Sequence, residues 1–326
     1  MTPESTTPES GTRQGTTRRL APAVGLFLLA PLVGEYLLGN VPMADIGGLL
    51  VLAPMYGGGA LLVRETARRT GRGWPTMVLL AAAYGVLEAG LIDQSLFNPS
   101  FEGHDFQSVT PIPWLGVSAH YALSFVGGHV IWSIGVPIAL VEALTPRRST
   151  APWLGPPGLA VTGVLFVLGS FVIFRSMVEE NGFVASTPQR IGAAVVVLLL
   201  AGTAFALGRP RPAIPGAVPR PWLVGLAAFL ASGLFFVRME DWPGVALAVV
   251  LLAVSAVTII RWSRRTGWGA AHRLGLAGGA LLTYVWGGFV LLSLEGDATP
   301  LNLTAQTFLA LAATTLLLLT GIRCRA

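Results

Sequence analysis

Residues 118–148 read SAHYALSFVGGHVIWSIGVPIALVEALTPRR. From Ser118 to Leu144 the run is about 27 residues of almost unbroken apolar character, more than the roughly 20 a helix needs to cross some 30 Å of hydrocarbon. It lacks the alternating pattern of a barrel strand, and a backbone out of reach of water must bond to itself, so the segment is a membrane-spanning helix. It stops at Arg147 and Arg148. Cytoplasmic loops of membrane proteins retain arginine, so this pair pins the inner end and leaves the surplus length at the outer end.

The same pattern recurs along the chain. Apolar spans are expected at 20–39, 46–63, 74–91, 118–144, 157–174, 191–207, 222–237, 244–260, 274–292 and 304–322. Of the 21 basic residues, all arginine, eighteen fall in every second gap. They are Arg13, Arg18, Arg19, Arg64, Arg68, Arg69, Arg72, Arg147, Arg148, Arg209, Arg211, Arg220, Arg261, Arg264, Arg265, Arg273, Arg323 and Arg325. Only Arg175, Arg190 and Arg238 fall in the other gaps, with most of the acidic residues. The fold class that follows is an all-α polytopic bundle of about ten transmembrane helices with both termini cytoplasmic. Exclusive use of arginine fits a GC-rich bacterial genome, and the expected location is the bacterial cytoplasmic (inner) membrane.

With 53% hydrophobic and 11% charged residues, an ordinary soluble domain is excluded. The net charge of +5 marks topology, so nucleic acid is not an expected partner, whereas the lipid bilayer is. Residues 1–19 are polar, have no apolar periodicity and read as a disordered cytoplasmic tail. Residues 20–326 read as a single transmembrane domain, with a proline-rich seam at 209–221 between spans 1–6 and 7–10. Polar residues concentrate early, which places function in spans 1–5 and scaffold in much of the rest. Cys324 is neither a disulfide partner nor part of a prenylation box.

An ionisable side chain inside a bilayer is costly enough to need a partner, a water-filled cavity or a task. Glu35, Glu88 and His129 stand out, each roughly 6 Å below the outer boundary when counted at 1.5 Å per residue. Tyr84 shares a face with Glu88, and Phe125 and Trp132 flank His129 at helical spacing. Asp93, Gln94, Asn98, His104 and His120 lie just above, and Arg175 ends a neighbouring span. The expectation is an outward-facing polar cavity with Glu35, Glu88 and His129 as catalytic candidates and Tyr84, Asp93, His120, Trp132 and Arg175 as substrate-binding ones. A purely structural use of buried glutamates as interhelical glue stands beside it. Glu142 is expected to pair with Arg147 or Arg148, and Glu65 with its neighbouring arginines.

Two motifs carry a family resemblance. GVLEAGLID at 85–93 resembles the Glu-Glu-x-x-x-Arg motif of the CAAX-protease and bacteriocin-processing intramembrane endopeptidases, and FVGGH at 125–129 is similar to their Phe-x-x-x-His motif. The resemblance implies Glu88 as general base and His129 as its partner or oxyanion stabiliser in peptide-bond hydrolysis. Ala89 stands where that family has its second glutamate and Asp93 where it has arginine. The third motif has no counterpart here.

Other classes fit the same layer: another acid–base enzyme on a membrane-embedded peptide or lipid, a proton-coupled or cation transporter, or a non-catalytic scaffold working through its external loops. No cofactor is expected, since no phosphate loop, dinucleotide glycine motif or heme cysteine pair is present. No metal is expected either, because the spacing is not that of a membrane zinc site.

Overall fold

The computed structural model describes residues 11–207 and 212–324. Among them, nine helices are long and apolar enough to cross a membrane: α1 (Arg19–Tyr36), α2 (Met43–Arg69), α3 (Trp74–Ile92), α4 (Ala119–Leu144), α5 (Pro156–Asn181), α6 (Thr187–Ala206), α8 (Trp242–Ser263), α9 (Ala270–Leu294) and α10 (Pro300–Arg323). The tenth expected span is the shorter α7 (Pro221–Phe236). The chain is an all-α multi-pass membrane protein. In the loop before α4, β1 (Pro111–Ile112) pairs with β2 (Val117–Ser118) in a small antiparallel hairpin. The helix containing α1 begins at Gly11, so residues 11–19 of the expected tail are drawn as its first turns. Extending an existing helix avoids the cost of nucleation, which makes this cheap even for polar residues. Residues 1–10 lie outside the described residues, as do Arg209, Arg211 and Arg325 of the inside set.

Helix starts follow their sequence signals. Proline occupies the first turn of α5, α6, α7, α8 and α10, where a missing N–H leaves no gap in the ladder. Asp241 and Thr299 cap α8 and α10 by accepting from the backbone N–H of Gly244 and Asn302. Loop contacts confirm that successive helices run in opposite directions. At one end Arg64 reaches the carbonyls of residues 148, 149 and 151, and Arg72 reaches Phe205 O. At the other, the 93–118 loop meets Asn181, Gln189 and Glu295.

The helices sort into a core and a periphery. The apolar parts of α1, α2, α3, α4 and α9 are 50 to 56% buried within the protein, whereas those of α5, α6, α8 and α10 are 11 to 17% buried. The apolar side chains left outside, such as Val167, Leu198 and Phe308, face the lipid. Among spans 1–5, α5 is thus peripheral, and α9 joins the core. Small residues are the reason. On α9, a Cβ at Gly275 would lie 2.5 Å from Pro221 O and one at Gly279 2.2 Å from Gly225 O, so α7 and α9 touch backbone to backbone. Helix α9 also receives Trp132 of α4, whose Nε1 donates to Ala280 O at 2.7 Å while its ring stacks on Tyr284.

The arginine-rich end is locked by a buried ion network. Arg64 is fully buried and donates to Glu142 Oε1 at 3.1 Å, to Glu65 Oε1 at 2.8 Å and to the carbonyls of Arg148, Ser149 and Ala151. Its guanidinium lies 3.2 Å from the centre of the Trp153 ring. Arg68 holds both oxygens of Glu142 at 2.9 and 2.7 Å. Glu142 thus pairs with α2 rather than with Arg147 or Arg148, which sit in the turn Pro146–Arg148 beyond the end of α4. Glu65, besides Arg64, accepts from the backbone N–H of Trp153 and Leu154.

Removing one partner of a buried pair strands the other charge. Arg64→Met is expected to destabilise the protein by about 3–5 kcal/mol, measured by denaturant unfolding in detergent. Arg175→Ala, which breaks only an exposed pair with Glu179, is expected to leave the transition in place. An unmoved transition for Arg64→Met contradicts the network's role.

Candidate functional site

Four helices lose their regular winding in one layer. The turns at Leu32–Tyr36 in α1, Ala53–Gly57 in α2, Glu88–Ile92 in α3 and His129–Gly135 in α4 are π-helical. Bonds of the i→i+5 kind mark them, as from Leu37 N to Leu32 O at 2.8 Å and from Asp93 N to Glu88 O at 3.0 Å. Such turns are uncommon and re-aim the side chains they carry. Among the described residues these are all the π-helical segments, and they contribute Glu35, Tyr56, Glu88 and His129, one each.

The four side chains meet. Glu88 Oε2 lies 3.0 Å from His129 Nε2, off the line of a hydrogen bond. Tyr56 Oη stands 3.4 Å from Glu88 Oε1 and 3.3 Å from His129 Nε2. The same hydroxyl interacts with Glu35, whose Oε2 also accepts from Asn40 Nδ2 at 2.8 Å. The Tyr56 ring stacks on the imidazole at 5.7 Å, and Tyr84 packs against both. Two glycines allow this closeness. A Cβ at Gly59 would fall 2.4 Å from the Tyr84 ring, and one at Gly85 3.1 Å from the His129 Cβ.

Proton bookkeeping follows from the partners. His129 Nδ1 lies 2.7 Å from Phe125 O, and a carbonyl only accepts, so Nδ1 carries a hydrogen. In a neutral ring Nε2 would then present a lone pair to a carboxylate oxygen at 3.0 Å, which is repulsive. Either Nε2 or the facing Glu88 oxygen must therefore carry a hydrogen to relieve that contact. Tyr56 has one hydrogen and two acceptors in reach. Tyr84 Oη is buried nearby without a hydrogen-bond partner.

The other sequence candidates separate. Tyr84 belongs to the cluster. Asp93 lies at its rim, accepting from Ser95 N at 2.9 Å, and burial followed by the neighbouring Glu88 pushes its carboxyl well above the ordinary carboxylate range. His120 belongs to a second polar group nearer the helix end, with its backbone carbonyl accepting from Arg238. Trp132 points to α9, as described above. Arg175 is exposed and paired with Glu179 at 2.5 Å. Nor is the site the expected outward-facing cavity: Glu35, Tyr56, Tyr84 and Glu88 are buried in close packing. Two apolar cavities lie elsewhere, one along α4 and one between α3 and α4. Tyr56 was not among the sequence candidates; it lies in a π turn that also holds Pro54 and leads into Gly58 and Gly59. Among the described residues no three His, Cys, Asp or Glu side chains are grouped as metal ligands.

Residues 25–325 match a family described as an uncharacterized membrane protein family, and the chain belongs to it. No curated protein and no solved structure matches it.

Nitrogen NMR on protein labelled at histidine tests the proton assignment. His129 Nδ1 is expected to stay protonated across about pH 5 to 9 while Nε2 responds to Glu88. A His129 signal with a bare Nδ1 would rule out the arrangement.

Proposed function

We propose that Glu88 and His129 form the acid–base pair of an intramembrane enzyme acting on a membrane-embedded substrate, in a bacterial cytoplasmic membrane with both termini inside. The observation that carries this reading is the 3.0 Å approach of Glu88 Oε2 to His129 Nε2, with the Tyr56 hydroxyl in reach of both. Such a pair can take a proton from a water or hydroxyl nucleophile and return it to a leaving group, and a tyrosine hydroxyl can donate to a developing oxyanion. Glu35, interacting with the Tyr56 hydroxyl and fixed by Asn40, orients that hydroxyl. The resemblance of 85–93 and 125–129 to the CAAX-protease and bacteriocin-processing endopeptidases supports the same roles for Glu88 and His129. The three arginines of 64–69 and the pair at 147–148 support placing that end inside.

A second reading has its own support. The cluster is close-packed and spread over four π turns, which suits a carrier that takes up a proton and changes packing as it does so.

The two readings separate in liposomes of bacterial polar lipid containing the purified chain. For the enzyme, lipid or peptide products released by the wild type are expected to fall at least ~10²-fold in Glu88→Gln and in His129→Ala, and less in Tyr56→Phe. Equal product release from Glu88→Gln and His129→Ala overturns it. For the carrier, a trapped pH dye reports proton entry that Glu88→Gln stops, with no new product formed.

A further inference from the structure

Arg238, just beyond α7, is 8% exposed and differs from the other deeply buried arginine, Arg64, in what it meets. Arg64 is held by two carboxylates, whereas the bonds of Arg238 go to neutral acceptors: the carbonyl of Phe235, the carbonyl of His120 at 2.9 Å and Ser124 Oγ at 2.5 Å. Among the described residues no carboxylate forms an ion pair with it. The nearby Glu240 is engaged by the Tyr121 hydroxyl at 2.7 Å. Arg238 Nε and His120 Nδ1 are both buried without a hydrogen-bond partner. Burial lowers the guanidinium to about 10, so it stays charged at neutral pH. A buried cation without an anion is costly, and its unpartnered Nε leaves a donor free for one.

An apolar groove begins at the same place. It has a volume of about 180 Å³, runs along α4 from Ala122 to Ile131 and is closed on one side by Leu252 of α8. Nine rises along the helix give it a length of ~14 Å, and every lining residue is partly exposed. The groove and the arginine share a wall. The Phe235 ring carries the Arg238 guanidinium on its face at 4.2 Å, and its edge meets Gly127 in the groove, where a Cβ would lie 3.0 Å from Cζ. That space admits a segment of alkyl chain.

We propose that this is a lipid-binding site in which Arg238 holds the phosphate of an anionic lipid while one of its acyl chains lies in the groove along α4. Neither half explains the whole: a free phosphate has no use for the groove, and a neutral lipid none for the unpaired arginine. The site does not rest on the acid–base reading of Glu88 and His129, and its test reads binding alone.

Native mass spectrometry of the full chain in detergent, titrated with short-chain phosphatidic acid, diacylglycerol of the same chains, and inorganic phosphate, tests it. Phosphatidic acid is expected to bind at least ~10-fold more tightly than either control, consistent with a charge-assisted contact. Arg238→Gln is expected to lose that preference, and Ala122→Phe, which fills the groove, to weaken phosphatidic acid without altering the fold. Arg238→Lys keeps a charge and serves if Arg238→Gln fails to fold; it is expected to retain part of the preference. Equal binding of diacylglycerol, equal binding of inorganic phosphate, or unchanged binding by Arg238→Gln overturns the proposal, as does an adventitious lipid bound equally by Ala122→Phe.

Discussion

Hydrocarbon offers no hydrogen bonds, so every polar group carried into the bilayer must find its partner within the protein. The arrangement of this chain follows from that constraint. Its helices satisfy their own backbones, and its outward side chains on α5, α6, α8 and α10 are apolar because lipid is their solvent. Charged groups that do enter are gathered into a few places. At one end Arg64, Arg68, Glu65 and Glu142 neutralise one another and bind the α4–α5 turn. One layer away, Glu35, Tyr56, Glu88 and His129 form a smaller group with two carboxyls, one imidazole and no arginine.

Much of the fold could be read from the chain because the same constraint writes itself into composition. Apolar length located the ten helices, and the arginine pattern separated their two ends. The order of burial was less legible. Helix α9 is central because its glycines let α7 approach backbone to backbone, and a glycine count does not say which neighbour will use it. Glu142 was misassigned for a related reason. Sequence proximity favoured Arg147 and Arg148, but α2 lies alongside α4 and delivers Arg64 and Arg68 sideways.

The site was half legible. Glu35, Glu88 and His129 declared themselves because ionisable groups in a span always require explanation. Tyr56 did not, since a tyrosine in an apolar helix is unremarkable. The flanking assignments split according to winding. Tyr84, in regular helix immediately before Glu88, stays on the expected face. Trp132 follows His129 inside a π turn, where more residues fill each revolution, and is carried round to α9. His120 and Arg175 were placed by nearness to the outer end, a criterion that cannot separate one polar group from the next.

The four π turns have a mechanical meaning as well. Each holds one residue more than a regular turn would need, and an adjoining segment can absorb that residue by passing the i→i+5 bond along the chain. Because all four lie in one layer, that layer is where the bundle has slack, while the ion network at one end and the glycine contact of α7 with α9 give it stiffness. A shear of the α1–α4 group against α9 would be taken up there, at the level where Glu88 meets His129.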